Sequence, residues 1–204
     1  FDIRVNIMEF SVDGLGKILS QRPVVEETDH GAFMPAAVMV LVYKKDNQYC
    51  VLLNKRSQLV EHHKGEMSFP GGAKDPGDGV FINTALRETE EEMGIKTKDI
   101  TVLGQLDDTI TRSNFVVKVF VGTIDYPYHF DPSDIEIAEV VEIPILDLMS
   151  EENQYVETRW DGVNSFDSVS YGYGDYLVYG ATATILSQFL DVVSDNFSLE
   201  GQVN

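Results

Sequence analysis

The sequence predicts an α/β chain in which buried strands alternate with amphipathic helices. Three observations carry that expectation. Ala36 to Tyr43 (AAVMVLVY) is an unbroken apolar run. Phe115 to Ile124 has the Val-rich character of a strand, with Val116, Val117, Val119, Phe120 and Val121. Residues 82–93 and 181–193 repeat apolar side chains at steps of three and four, the period of a helix buried along one stripe.

At 204 residues, 43% hydrophobic and 24% charged, the chain is long enough for one substantial core. The expected organisation is a single domain over residues 1–193 and a flexible tail over 194–204. In chain order, Phe10, Val12, Leu15, Ile18 and Leu19 predict an amphipathic helix over about 9–21, although Gly14 and Gly16 weaken it. Arg22 to Gly31 reads as a connecting loop. Ala36–Tyr43 and Tyr49–Leu53, joined by the turn Lys45-Asp46-Asn47-Gln48, predict a hairpin. Cys50, the one cysteine, lies in that second run and reads as a small buried hydrophobe. Residues 56–70 are polar and irregular. Strands are expected over 100–106 and 115–124, with a polar loop 109–114 between them, then a strand Val141-Glu142-Ile143-Pro144 and a short helix to Met149. The aromatic and Gly-rich stretch 155–179 predicts a further hairpin, with Trp160, Tyr171, Tyr173 and Tyr176 as core or rim packing. A helix over about 180–193 closes the domain.

No run reaches eighteen uninterrupted apolar residues, so no membrane-spanning helix is expected, and the first residues lack the pattern of a secretory leader. The expected location is cytoplasmic. A net charge of −19 argues against a nucleic-acid polymer as partner, because phosphate backbones are bound by basic patches. The same charge implies that a small anionic substrate must be neutralised locally, by metal ions and a few placed cations. Lys55, Arg56, Lys64, Arg112 and Lys118 are the cations near enough in sequence. Among them Arg56 is the preferred candidate, and Arg112 sits in the loop that could reach a substrate.

The chemistry concentrates in Gly71 to Ile95 (GGAKDPGDGVFINTALRETEEEMGI). Pro76-Gly77-Asp78-Gly79 supplies a turn, Ile82 to Met93 a helix, and Gly94-Ile95 a left-handed stop with its apolar contact. Glu88 and Glu92 are stacked four apart, with Glu90 and Glu91 beside them, and like charges at that spacing cost roughly 0.2–0.5 kcal/mol per pair. Carboxylates in the last turn also oppose the helix dipole, by roughly 0.3–1 kcal/mol each. Stability alone does not account for four acids there, so a bound cation is inferred. Oxygen ligands without nearby Cys or His select a hard ion, Mg²⁺ or Mn²⁺.

Arg87-Glu88-Thr89-Glu90-Glu91-Glu92-Met93-Gly94-Ile95 resembles the second half of the Nudix box, Arg-Glu-hydrophobic-x-Glu-Glu-x-Gly-hydrophobic. The first half is shifted: Asp78 stands where the family has a Glu, and eight residues instead of seven separate it from Arg87. That version, together with Leu52-Leu53-Asn54-Lys55-Arg56-Ser57 and His63-x-Gly65-x-Met67-Ser68-Phe69-Pro70-Gly71-Gly72, is similar to the coenzyme A diphosphatase branch. The resemblance implies an α/β/α sandwich with a mixed sheet between helices. It implies a divalent-metal-dependent hydrolase of a diphosphate linkage, with coenzyme A or an acyl derivative split to 3′,5′-ADP and (acyl-)4′-phosphopantetheine. Three departures from the branch, Glu61 for an Arg, Asn54 for a Thr and Val119 for a Pro, keep ADP-ribose, another nucleotide sugar or a dinucleotide open as substrate. A non-catalytic Nudix-fold binding domain is the reading from another class. Against it, Glu88, Glu91 and Glu92 are all retained.

On this reading Glu88 and Glu92 are the principal metal ligands, and Glu91 is a third ligand or a base. Arg87, four residues before Glu91, orients that carboxylate. Glu136, which matches the Glu preceding the Val-x-x-Pro strand of the branch, is the second candidate base. His63 orients backbone or touches substrate, and Gly71 and Gly72 allow close approach of backbone to the box helix. Homodimers are common in the family, which leaves that assembly open.

Overall fold

The computed structural model describes residues 10–27, 33–160 and 162–200, with side chains through residue 195. The elements in chain order are helix α1 (Val12–Gln21), strands β1 (Met34–Lys45), β2 (Gln48–Arg56), β3 (Met67–Ser68) and β4 (Gly71–Ala73), and helix α2 (Phe81–Met93). Strands β5 (Thr101–Gln105), β6 (Thr109–Ile110), β7 (Phe115–Thr123) and β8 (Ile137–Pro144) follow. Helix α3 (Ile145–Met149), strands β9 (Gln154–Trp160), β10 (Ser165–Tyr173) and β11 (Tyr176–Val178), and helix α4 (Gly180–Glu200) complete the chain.

The eight strands β1 to β8 form one mixed sheet. Its main path runs β3-β2-β1-β7-β5, with β4 beside β1, β6 beside β7 and β8 beside β2. Only the β1–β7 pairing is parallel; the others are antiparallel. Strand β1 sits at the centre because both of its faces are apolar. Ala37, Met39, Leu41 and Tyr43 pack with Ala85 and Met93 of α2, whereas Ala36, Val40 and Val42 pack with Leu15 and Leu19 of α1 and Leu186 and Phe189 of α4. This is why its sequence is a continuous apolar run instead of an alternating one. The result is the helix–sheet–helix sandwich, α2 on one face and α1, α3 and α4 on the other.

Local chemistry sets the element ends. Asp46 and Asn47 both take positive φ (48° and 64°), the two-residue hairpin turn whose twist matches its strands. The Ser11 hydroxyl accepts the Gly14 N–H at 3.0 Å and starts α1, so the helix begins at Val12, after the expected position 9, which lies outside the described residues. Gly94 ends α2 in the left-handed conformation, φ 71°, and its N–H bonds the Glu90 carbonyl. The closing helix corrects the expected boundary at 193: it runs to Glu200, because no Gly or Pro interrupts residues 181–200. The expected tail is therefore helical over 194–200, and residues 201–204 lie outside the described range. The polar loop expected over 109–114 contributes its first two residues to the sheet as β6.

Strands β9, β10 and β11 form a separate antiparallel sheet, one strand more than the expected hairpin. Tyr171 is buried in the core and Tyr173 and Tyr176 pack against it. Trp160 does not pack in either way; it is 68% exposed, at the end of β9, whose one neighbouring strand among the described residues is β10. Cys50 is buried, as a small hydrophobe should be. No helix of the described residues is long and apolar enough to cross a membrane.

Candidate active site

The site is assembled where the β3–β4 turn, the end of β2 and the second half of α2 meet. Glu92 is 3% exposed, which is unusual for a carboxylate. Its Oε2 accepts the Gly71 N–H at 3.1 Å and the Asn54 amide at 3.2 Å, and its Oε1 lies 3.7 Å from the Arg56 guanidinium. Asn54 is itself fixed by the Ser68 hydroxyl, which bonds its amide oxygen. Burial raises the Glu92 carboxyl from 4.5 to about 7, with the negative charges of Glu88 and Glu136 adding, while the Gly71 N–H and Arg56 oppose the shift.

Glu88 lies one turn earlier with most of its side chain covered, and burial raises its carboxyl as well, against the pull of Arg87 at 2.9 Å. Its carboxylate lies where Gly72 leaves room: a Cβ on Gly72 would stand 2.5 Å from the Glu88 Cδ and Oε1. Glu136 is exposed in the turn before β8, and its charge bears on both Glu88 and Glu92. The two expected principal ligands and one expected base are thus brought into one electrostatic cluster.

Arg87 is the hub of the flanking ion pairs. It grips Asp78 through two nitrogens at 2.9 and 3.1 Å, the Ala73 carbonyl at 3.3 Å, and Glu91 at 2.8 Å. Asp78 also caps its own turn by accepting the Asp75 N–H, and Arg87 holds its carboxyl well below the usual carboxylate range. The expected Arg87–Glu91 pair is present, with Glu91 largely exposed.

Glu90 corrects the reading that all four acids need a shared cation. It turns to the far side of the helix, where Lys96 at 3.2 Å and the Thr97 N–H and hydroxyl at 3.0 Å satisfy it, so that its carboxyl is lowered. Arg87 is shared among Asp78, Glu88 and Glu91, and Arg56 lies 3.7 Å from Glu92, so together with Glu136 these acids carry more negative charge than the two cations offset.

Other expected residues fall at the margin. Arg56 reaches Glu92, and its buried Nε has no hydrogen-bond partner among the described residues. His63 is exposed, takes φ 58° and lies 3.0 Å from Glu66. Arg112 stands over the Phe166 ring, 5.9 Å from its centroid, and makes no ion pair with a box carboxylate among the described residues. Glu61 is exposed, and Val119 faces the α1/α4 layer, away from α2. Two contributors were not assigned roles from sequence: Asn54, seen only as a departure from a motif, and Asp78, seen only as a shifted acid.

Among the described residues, no group of three or more acid, His or Cys side chains converges into a ready-made cage. The residues nevertheless suit a hard divalent ion. The candidate donors are carboxylate oxygens, and Glu92 and, in part, Glu88 are shielded from water, which raises both carboxyls. A cavity of about 330 Å³ lies at the other end of α2, lined by Glu26, Val80, Phe81, Ile82, Gln105, Lys118 and Phe120, and none of the site acids lines it.

Comparison with known proteins decides the family, because residues 33–163 match the NUDIX domain. The chain belongs to the Nudix hydrolases. It is 33% identical over 159 residues to the uncharacterized Nudix hydrolase NudL of Photorhabdus laumondii, which covers 78% of this chain and 84% of that one. It is 34% identical over 145 residues to the NudL of Yersinia enterocolitica, covering 71% and 74% of the two chains. Those similarities support a NudL-like branch of the Nudix superfamily. A MutT/nudix family protein from Enterococcus faecalis shares the fold at a TM-score of 0.52 and 18% identity, over 86% of this chain and 66% of that one. As a Nudix hydrolase the chain acts on phosphoric anhydrides of nucleoside diphosphate derivatives, and such enzymes generally use divalent metal ions.

Proposed function

We propose that the chain is a Mg²⁺- or Mn²⁺-dependent diphosphatase of coenzyme A or an acyl-coenzyme A, releasing 3′,5′-ADP and (acyl-)4′-phosphopantetheine. The observation that carries the metal-dependent chemistry is the buried Glu92, held by Asn54 and the Gly71 N–H with Glu88 one turn away. Glu88 and Glu92, with Glu91 as a further donor, would hold the divalent ion, which would supply charge neutralisation at the diphosphate and a more acidic water. Glu136, exposed and bearing electrostatically on the buried Glu92 and half-buried Glu88, would take a proton from that water, with Glu91 as the alternative base. Arg87 keeps Glu91 and the Asp78 turn in place. Arg56, whose partly exposed guanidinium lies beside Glu92, is suited to a phosphoryl oxygen of the substrate. His63, Gly71, Gly72 and Arg112 complete the proposed substrate contacts.

The coenzyme A preference rests on the sequence signature of residues 52–72. The exposed Glu61, where that branch has an Arg, favours keeping ADP-ribose and dinucleotides as the second reading. The test is product analysis with Mg²⁺ or Mn²⁺ and a panel of coenzyme A, acetyl-coenzyme A, dephospho-coenzyme A, ADP-ribose, NADH and a diadenosine polyphosphate. Coenzyme A cleaved in preference to its dephospho form supports the proposal; a preference for ADP-ribose or a dinucleotide replaces the substrate and keeps the chemistry. Turnover of none of them sinks the substrate reading.

A further inference from the structure

Strand β9 lies at the open margin of the second sheet, hydrogen-bonded along its length to β10 and to no other strand of the described residues. An uncovered strand edge offers a row of backbone donors and acceptors to another chain, and proteins ordinarily protect it. This one carries large apolar groups: Tyr155, Val156 and Trp160 are all more than half exposed. Its charges are Glu157 and Arg159, which lie on the same face of the strand and pair with each other at 3.1 Å.

The order of these residues is self-complementary. In an antiparallel pair, directly opposed residues point to the same face, so a two-fold axis relating two copies of β9 must pass through a residue position. An axis at Glu157 or Arg159 sets like charges against each other. An axis at Val156 or Trp160 brings no opposite charges together within the strand. With the axis at Thr158, Glu157 of each copy faces Arg159 of the other, and Val156 faces Trp160. Two ionic pairs form on one face of the sheet and two aliphatic–aromatic pairs on the other, both stabilising cross-strand combinations.

We propose that β9 docks against β9 of a second copy of this chain, antiparallel about Thr158, joining the two three-stranded sheets into one. The chain's net charge of −19 does not prevent this. Strands pair about 4.8 Å apart, inside the Debye length of about 8 Å at physiological ionic strength, so the local pairs act while most of the distributed charge is screened. None of the residues involved belongs to the proposed catalytic site, so the inference stands apart from the substrate reading.

The test uses sedimentation equilibrium together with fluorescence of Trp160, the only tryptophan of the chain. A dimer is expected at concentrations of about 10–100 μM, with Trp160 emission shifting to the blue as the protein is concentrated. Glu157→Arg and Arg159→Glu should each weaken association at least about tenfold, by replacing both ionic pairs with like-charge contacts. An equimolar mixture of the two variants should associate again, because each supplies the charges that the other lacks; circular dichroism confirms that both are folded. A monomer throughout that concentration range would overturn the proposal. So would a dimer unaffected by both substitutions, or a mixture that associates no better than either variant alone.

Discussion

Glu92, the proposed metal ligand, has a core residue's burial, and burial sets its carboxyl at odds with its charge. Its carboxyl is raised from 4.5 to about 7 in the folded chain, so the folded state binds this proton more tightly than the unfolded state does. Its contribution to stability is therefore fully present below pH 4.5 and is lost as pH rises through about 7. A shift of this size corresponds to roughly 3 kcal/mol. Glu92→Gln should accordingly stabilise the metal-free protein at pH 8 by up to about 3 kcal/mol in urea unfolding, while removing metal-dependent hydrolysis. Unchanged turnover in that variant would refute the metal assignment. The two neighbouring glycines separate fold from function. Gly71 has φ 154° and a Cβ there would stand 2.4 Å from the Ala37 carbonyl oxygen, so Gly71→Ala should lower the melting temperature. A Cβ on Gly72 meets the Glu88 carboxylate instead, so Gly72→Ala should keep the fold and lower kcat by about 10- to 100-fold, the range seen when a ligand's support is disturbed.

Helix α2 is held at its C-terminal end and at its middle by different means. Gly94 stops it, and Arg87 ties its middle to the preceding turn through Asp78, an arrangement that also leaves one nitrogen for Glu88 and Glu91. Arg87→Lys keeps the charge but loses the planar two-nitrogen grip on Asp78, so a lower melting temperature together with reduced kcat is expected. A variant that lost activity with no change in melting temperature would confine Arg87 to the chemistry and remove its structural role. At the hairpin, Asn47 has φ 64°, and Asn47→Val should cost about 1–2 kcal/mol by thermal unfolding because a β-branched residue resists the left-handed region. The periodic elements of this chain were legible beforehand: β1, α2 and α4 announce themselves through apolar spacing. Their ends were less so. The N-terminal start depends on Ser11 capping Gly14, and the C-terminal helix continues past Val193 because nothing breaks it before Gly201.

For the molecule as a whole, a divalent ion that binds only the folded chain must stabilise it by mass action, about 2.7 kcal/mol at one hundred times its dissociation constant. Mg²⁺ or Mn²⁺ is therefore expected to raise the melting temperature of the wild type, EDTA to reverse the effect, and Glu92→Gln to abolish it. The gain should shrink as pH falls below about 7, where the proton competes for Glu92. A melting temperature indifferent to either ion at pH 8 would count against the site.

The sequence by itself determined the layers and the residue types gathered at the candidate site. Strand β1 is apolar on both faces and must lie between two layers, and the Arg87–Ile95 motif placed carboxylates, a turn and a helix stop in register. Only the tertiary structure decided the surroundings of each carboxylate. Four acids close together in sequence look alike until the fold turns Glu90 toward Lys96, sets Glu88 and Glu91 on one nitrogen of Arg87 and buries Glu92 against Gly71 and Asn54. Asn54 and Gly71 lie 38 and 21 residues from Glu92, and burial depends on what the sheet brings beside the helix. Helical spacing specifies which face a side chain shares; the energy of a charge on that face depends on the solvent and partners that the rest of the chain leaves it.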